Sequence, residues 1–205
     1  MSTGHLALVD DPMAGAVSSL RTEAAGMHTL LIYESMYGNT HAIATAIAGS
    51  LSHFGDVRIV PVSEATEELV AWADLVVAGA PTHAHGMPTA KSRSSAVDGA
   101  AKPDGWSQVT LDASAQGPGI REWLQGLGAV DGKRAAAFDT RAPGPALLTG
   151  RASTGIAKQL REHGFQLVAD PESFIIDTHQ RLRDGEEVRA TTWASSLVPE
   201  LVTSD

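Results

Sequence analysis

The run Leu75-Val76-Val77-Ala78-Gly79-Ala80 carries no polar side chain at any position. Successive side chains of a strand point to opposite faces, so a run that is apolar throughout is buried on both sides. Strands of that kind belong to parallel sheets covered by helices on both faces. Leu30-Leu31-Ile32-Tyr33 is a second run of this type, and Ile43, Ile47 and Leu51 behind it repeat every fourth residue, the spacing of one helical face. These two runs predict a β-α-β start to an α/β fold.

The rest of the chain continues the alternation. Val57 to Val62 reads as another strand, with a short helix from Glu64 to Trp72 after it. Leu75 to Ala80 is then the third strand, Arg134 to Phe138 the fourth and Phe165 to Val168 the fifth. Phe174-Ile175-Ile176 is expected to extend the fifth after the Asp170-Pro171 break. Helices are expected at 120–127, at 150–163 with a stop at Gly164, and from Glu186 to about Leu201, where Trp193, Leu197 and Leu201 are spaced by four. Because each parallel crossover needs a dozen or more residues, five strands alternating with helices predict a three-layer, doubly wound, five-stranded parallel sheet. Residues 81–119 form one long connection rich in Gly, Pro, Ser and Ala; connections beyond about 15 residues usually carry function or disorder. Residues 1–26 show no sustained period and read as a flexible N-terminal extension to a domain spanning 27–205.

Composition narrows the function. The chain has 205 residues and a formal charge of −9, which argues against nucleic-acid binding, a function that needs basic patches to replace phosphate counterions. No cysteine is present, so redox chemistry would have to come from a bound group. No stretch approaches the roughly 20 apolar residues of a membrane span and no secretory signal opens the chain, which makes a cytoplasmic location the expectation.

Ligands of open parallel sheets bind beyond the carboxyl ends of the strands, so the loops after strands one, three and four are the candidates. The first is Ser35-Met36-Tyr37-Gly38-Asn39-Thr40, between a buried strand and a helix start. Backbone N–H groups there suit a phosphate monoester, with hydroxyls from Ser35 and Thr40 and a glycine at 38 that lets the backbone come close. The loop has no lysine or arginine, unlike the P-loop of nucleotide-hydrolysing proteins. The plain alternative is a tight turn with Thr40 capping the helix.

Across Leu31-Ile32-Tyr33-Glu34-Ser35-Met36-Tyr37-Gly38-Asn39-Thr40-His41-Ala42-Ile43-Ala44-Thr45-Ala46-Ile47 the chain resembles the flavodoxin family, joining strand, phosphate loop and helix start in one match. The resemblance implies FMN as cofactor, a strand order of 2-1-3-4-5, and a phosphate held by residues 35–40. It also implies a second flavin loop at Pro81-Thr82-His83-Ala84-His85-Gly86-Met87-Pro88, of which Pro81, Thr82, His83, Gly86 and Met87 are the expected contacts, and a third at Asp139, Thr140 and Arg141. Many flavodoxins place an aromatic residue on the flavin in the second loop, where this chain has His83, His85 and Met87. Trp106 could take that place or pack on the domain's own surface. His83 or His85 would give a hydrogen bond or a protonatable group near the flavin. Arg141 would either pair with charge on the ring or sit in solvent beside Asp139. Two histidines two apart do not make a metal site without further ligands, and none is expected.

No residue stands out as a nucleophile or general base, which favours an electron carrier over a catalyst, with redox partner proteins that could carry basic docking surfaces. The rivals are a flavin-dependent NAD(P)H:quinone-type oxidoreductase of the same fold and a flavin-free regulatory or interaction domain. A response-regulator receiver needs an acidic pair after strand one and an aspartate ending strand three. Here strand one is followed by Glu34 alone and strand three ends in Ala80-Pro81.

Overall fold

A computed structural model describes residues 26–101 and 109–202. The expected extension up to residue 25 and the Trp106 contact lie outside the described residues, as does the side chain of Leu201. The chain order is β1 (Met27–Tyr33), α1 (Asn39–Leu51), β2 (Gly55–Pro61), a 3-10 turn (Val62–Glu64), α2 (Glu67–Trp72), β3 (Leu75–Pro81), α3 (Ala90–Ala100), α4 (Ile120–Gly126), β4 (Arg134–Arg141), α5 (Ala146–Thr149), α6 (Ala152–Glu162), β5 (Gln166–Leu167), β6 (Glu172–Ile175) and α7 (Glu186–Val202).

The strands form one sheet in the order β2-β1-β3-β4-β5, all parallel, which is the order implied by the sequence resemblance. β6 pairs with β4 beyond β5, on the same edge. The edge strand is therefore interrupted rather than doubled, and the break falls at Asp170-Pro171, where proline has no N–H to give a ladder.

Two apolar layers sandwich the sheet. Leu30, Ile32, Val76, Ala78, Ala135 and Ala137 face Val70 of α2, Ile120 and Leu124 of α4, and Ile156 and Leu160 of α6. The alternate residues Leu31, Tyr33, Leu75, Val77, Ala136 and Phe138 face Ile43, Ile47 and Leu51 of α1 and Ala190, Ala194 and Leu197 of α7. The alternation along β1, β3 and β4 follows from the two-residue period of a strand, and every residue of β3 up to Ala80 is buried. Gly79 is required by this packing, because a Cβ there would lie 2.1 Å from the Phe138 ring.

Three local features differ from the sequence expectation. The 81–119 connection contains α3, an 11-residue helix opened by a capping box between Thr89 and Ser92. Its apolar face is only Ala96 and Val97, packed on Met36, Ala115 and Leu111, too few residues for a periodic signal. The helix expected from Glu64 starts at Glu67 behind a Thr66 cap, after the 3-10 turn. The helix expected over 150–163 is α6 alone, because Gly150 (φ 74°) separates it from the four-residue α5. Gly164, expected to stop it, does so with φ 95°.

Candidate functional site

The loop after β1 opens α1 without any of the usual caps. Gly38 is the N-cap residue, with φ 84°, it offers no side-chain cap, and the first turn holds no acidic residue. The N–H groups of a helix's first turn have no partner within the helix and carry the positive end of its dipole, so this 13-residue helix presents an anion-ready end. Thr40 does not cap it. Its Oγ1 lies 2.8 Å from Thr140 Oγ1 on β4, which joins the first loop to the third across the sheet. Ser35 Oγ accepts the Gly38 N–H at 3.1 Å, which leaves its own hydrogen to donate. Asn39 Nδ2 donates to Gln180 O at 2.8 Å.

A cleft of about 50 Å³ is lined by Ser35, Met36, Tyr37, Asn39, Thr40, Pro81, Thr82, His83 and Thr140, with Ile176 and Gln180 at one side. All three candidate loops thus converge on one place. Sites for drug-sized ligands run to roughly 300–1,000 Å³, so this cleft has room for a small group such as a phosphate and not for a ring system.

The loop after β3 is a tight two-residue turn. His83 and Gly86 exchange N–H···O bonds of 2.9 and 3.0 Å, and Ala84 (φ 44°) and His85 (φ 73°) both adopt positive φ. Non-glycine residues pay for that conformation, and it persists only where the surroundings impose it. The imposing contacts are the bridge between His85 and Gly150 and the Arg121 guanidinium, which donates to the carbonyls of Met87 (2.8 Å) and Pro88 (3.1 Å). The His83 ring pairs through Nδ1 with Ser92 Oγ at 3.3 Å. Burial, and secondarily the charge of Arg93, hold its pKa below the ordinary imidazole value, so the ring is neutral near pH 7.

The N-terminus of α6 organises the second and third loops together. Ala152 N–H donates to Thr82 Oγ1 and Ser153 N–H to Asp139 Oδ2, both at 2.8 Å. Asp139 is fully buried on the α6 side of β4, so it serves that helix instead of lining the cleft. Burial pushes its pKa up. Met87 likewise turns into the core, against Gly155 of α6. The Arg141 guanidinium donates to Ala142 O, Gly144 O and Thr149 Oγ1 of its own loop. Of the expected contacts, Ser35, Met36, Tyr37, Asn39, Thr40, Pro81, Thr82, His83 and Thr140 line the cleft, and Gly38, Gly86, Met87, Asp139 and Arg141 are not among its lining residues.

Sequence reasoning missed the residues that brace the first loop from outside. Asp112 N–H donates to Met36 O, and the Asp112 carboxylate pairs with His41 Nδ1 at 3.3 Å. Burial opposes that carboxylate's charge, but hydrogen bonds from Ser114 and the His41 contact outweigh it and hold the pKa below the ordinary range. The His41 ring stacks on Tyr33 with centroids 4.5 Å apart. Tyr37 Oη donates to Ala96 O at 2.9 Å, and burial pushes its pKa up to about 12. Arg93 of α3 lies between Glu34 and Glu122. None of these pairings has a fixed spacing that a sequence could display.

Among the described residues, no group of three or more His, Asp and Glu is placed to hold a metal ion, and no helix is long and apolar enough to cross a membrane.

The 2-1-3-4-5 parallel sheet, with an uncapped helix start and neutral hydroxyls at the carboxyl ends of its central strands, defines a doubly wound α/β protein. The sequence profile of the flavodoxin family matches residues 31–138, just over half of the 205-residue chain. The chain belongs to the flavodoxin family, whose members bind flavin. Solved structures share the fold. A flavodoxin from the domain Archaea is 18% identical, with 85% of this chain and 99% of that one aligned at a TM-score of 0.56. Oxidised flavodoxin 1 from Bacillus cereus is 18% identical over 84% of this chain and 97% of that one, with a TM-score of 0.57. A flavodoxin described as WrbA-like, from Agrobacterium tumefaciens, is 18% identical over 86% and 98%, with a TM-score of 0.53. No curated protein sequence matches the chain significantly.

Proposed function

We propose that residues 27–205 form a domain that binds FMN and carries electrons between redox partner proteins in the cytoplasm. The observation that carries this reading is the uncapped start of α1 at Gly38, flanked by the hydroxyls of Ser35 after β1 and Thr40 in the first turn of α1. The donors fit a phosphate monoester: first-turn amides, a hydroxyl hydrogen left over on Ser35, and Thr40 and Thr140 sharing one hydrogen bond that leaves a second hydrogen to give. The volume of the cleft fits the phosphate alone, so the flavin ring would lie outside it, toward the turn at His83–Gly86 and the loop after β4.

FMN would supply the capacity to take up and release electrons. The chain's own residues bind, orient and tune. Ser35, Thr40 and the α1 amides hold the phosphate, and the Arg121-clamped turn offers backbone groups to a ring edge. His83, kept neutral, offers a polar contact without a positive charge. The net charge of −9 suits partners with basic docking surfaces, steering them over long range at low ionic strength.

The absorption spectrum of the purified protein, with mass identification of any released cofactor, tests the reading. The Ser35→Ala and Thr40→Ala double variant is expected to lose about 10- to 100-fold in FMN affinity, the equivalent of one or two hydrogen bonds to a charged group. Unchanged affinity would place the phosphate elsewhere, and a protein that neither carries nor takes up FMN would support a flavin-free interaction domain.

A second reading, a flavin-dependent NAD(P)H:quinone-type oxidoreductase, is favoured by one observation. Helix α3 and residues 115–117 line a further open groove of about 360 Å³, large enough for a substrate. Stopped-flow mixing of the flavin-loaded protein with NAD(P)H separates the two, because fast direct reduction contradicts the carrier.

A further inference from the structure

Glu34 directly follows β1 and directly precedes Ser35, and it is 3% exposed. Its Oε2 accepts the Ile120 N–H at 2.8 Å, while Oε1 has no hydrogen-bond partner. Arg93 reaches it from α3: Nη1 lies 3.8 Å from Glu34 Oε1 and 3.1 Å from Glu122 Oε2, and the Arg93 side chain is 10% exposed. The packing is tight enough that a Cβ on Gly119 would lie 2.2 Å from Arg93 Nη1 and 2.7 Å from Glu34 Oε2. A buried carboxylate beside an anion-binding loop opposes the anion, and residues 35–40 contain no cation to offset it.

We infer that Arg93 is a positioning residue for phosphate recognition. By cancelling the charge of Glu34 next to residues 35–40, it lets a loop with no cation of its own hold a phosphate dianion, and so sets the preference for FMN over riboflavin. The inference rests on the FMN reading above. Arg93 acts through Glu34 and makes no contact with the cofactor itself.

The other charged groups around the pair fix the direction of the effect. Glu122 accepts the Gly119 N–H and forms an ion pair with Arg93, so it draws on the same guanidinium. Arg121 also favours the charged form of Glu34 but is committed to the Met87 and Pro88 carbonyls. His83 is neutral near pH 7. Without Arg93, Glu34 keeps a weaker cation on one side and an anion on the other. Burial already raises its pKa, and the loss of Arg93 raises it further, so the carboxylate is charged at alkaline pH and neutralised as the pH falls. A phosphate ligand also takes up a proton near neutrality, but it does so equally for wild type and variant, so the ratio of their affinities isolates Glu34.

The test measures FMN and riboflavin affinities of the flavin-free full chain by quenching of flavin fluorescence, at mildly acid and mildly alkaline pH. Arg93→Met is expected to lose about tenfold in FMN affinity at alkaline pH, to lose less in acid, and to bind riboflavin as the wild type does. Glu34→Gln added to Arg93→Met restores FMN affinity, and Arg93→Lys retains it. Equal loss for both flavins, no FMN loss at either pH, or no rescue by Glu34→Gln overturns the inference. If Arg93→Met does not fold, Glu34→Gln alone decides, since its amide oxygen still accepts the Ile120 N–H. FMN affinity at or above wild type supports the inference, and a lowered preference for FMN over riboflavin overturns it. Wild-type protein that binds neither flavin overturns the FMN reading, and this inference with it.

Discussion

Residues 35–40 grow directly out of β1 and into α1, whereas the loops after β3 and β4 depend on side chains and on one another. In the first loop the groups available to a ligand are backbone amides and two buried hydroxyls, placed by the sheet and by the helix axis. In the other two, Arg121 holds the Met87 and Pro88 carbonyls, Arg141 holds its own loop, and the α6 N-terminus ties Thr82 to Asp139. The second loop contains two strained residues, Ala84 and His85, and the third carries Leu147 exposed at 93%. The first loop is therefore placed by the sheet and the helix, with Asp112 and Tyr37 bracing it from outside, and the other two are held by their own side chains.

That contrast can be broken from below, where both ends share a floor. Gly79→Ala would drive a Cβ into the Phe138 ring beneath both ends, and we expect a loss of about 2–4 kcal/mol in unfolding experiments, as for overpacked cores. A smaller and one-sided effect is expected of Gly150→Ala. The residue has φ 74° and a built Cβ would meet the His85 backbone at 2.1 Å, so the second and third loops must part. A loss of about 1–3 kcal/mol in thermal unfolding should come with an altered visible spectrum of bound flavin, while Ser35 and Thr40 keep the phosphate. Equal damage to phosphate affinity would show that the two ends are one unit.

Relieving strain should work in the other direction. Ala84→Gly removes the cost of a positive φ and is expected to stabilise by up to about 1 kcal/mol, read as a rise in Tm. No change would mean that the turn is not strained. The smallest effect expected is that of Asp139→Asn. Burial raises the folded-state pKa of Asp139 above its unfolded value, so its contribution to stability is fully present below the unfolded pKa and is lost as pH rises through the folded pKa. The amide still accepts the Ser153 N–H, so the variant should match the wild type in acid and be equal or more stable at neutral pH. A variant less stable at neutral pH would show that the charge itself anchors α6.

The architecture was legible in the sequence because it rests on local periodicity. The unbroken apolar run at 75–80 required a sheet covered on both sides, Ile43, Ile47 and Leu51 required a helix on one of them, and Gly164 closed α6 where a left-handed turn was expected. The same locality made Ser35 to Thr40 readable, since a strand, a glycine and a helix start suffice to aim free amides at one point. What only the tertiary structure decided depends on partners far apart in the chain. Thr40 meets Thr140, Asp139 turns to Ser153 at the start of α6, and Met87 packs in the core. Helix α3 escaped notice because its buried face is alanine, valine and one arginine, and that Arg93 finds Glu34 only because the crossover after β3 folds back over the end of β1. Periodicity reports which face of an element is buried. It carries no information on which distant charge will be buried with it, because that depends on how the layers are stacked.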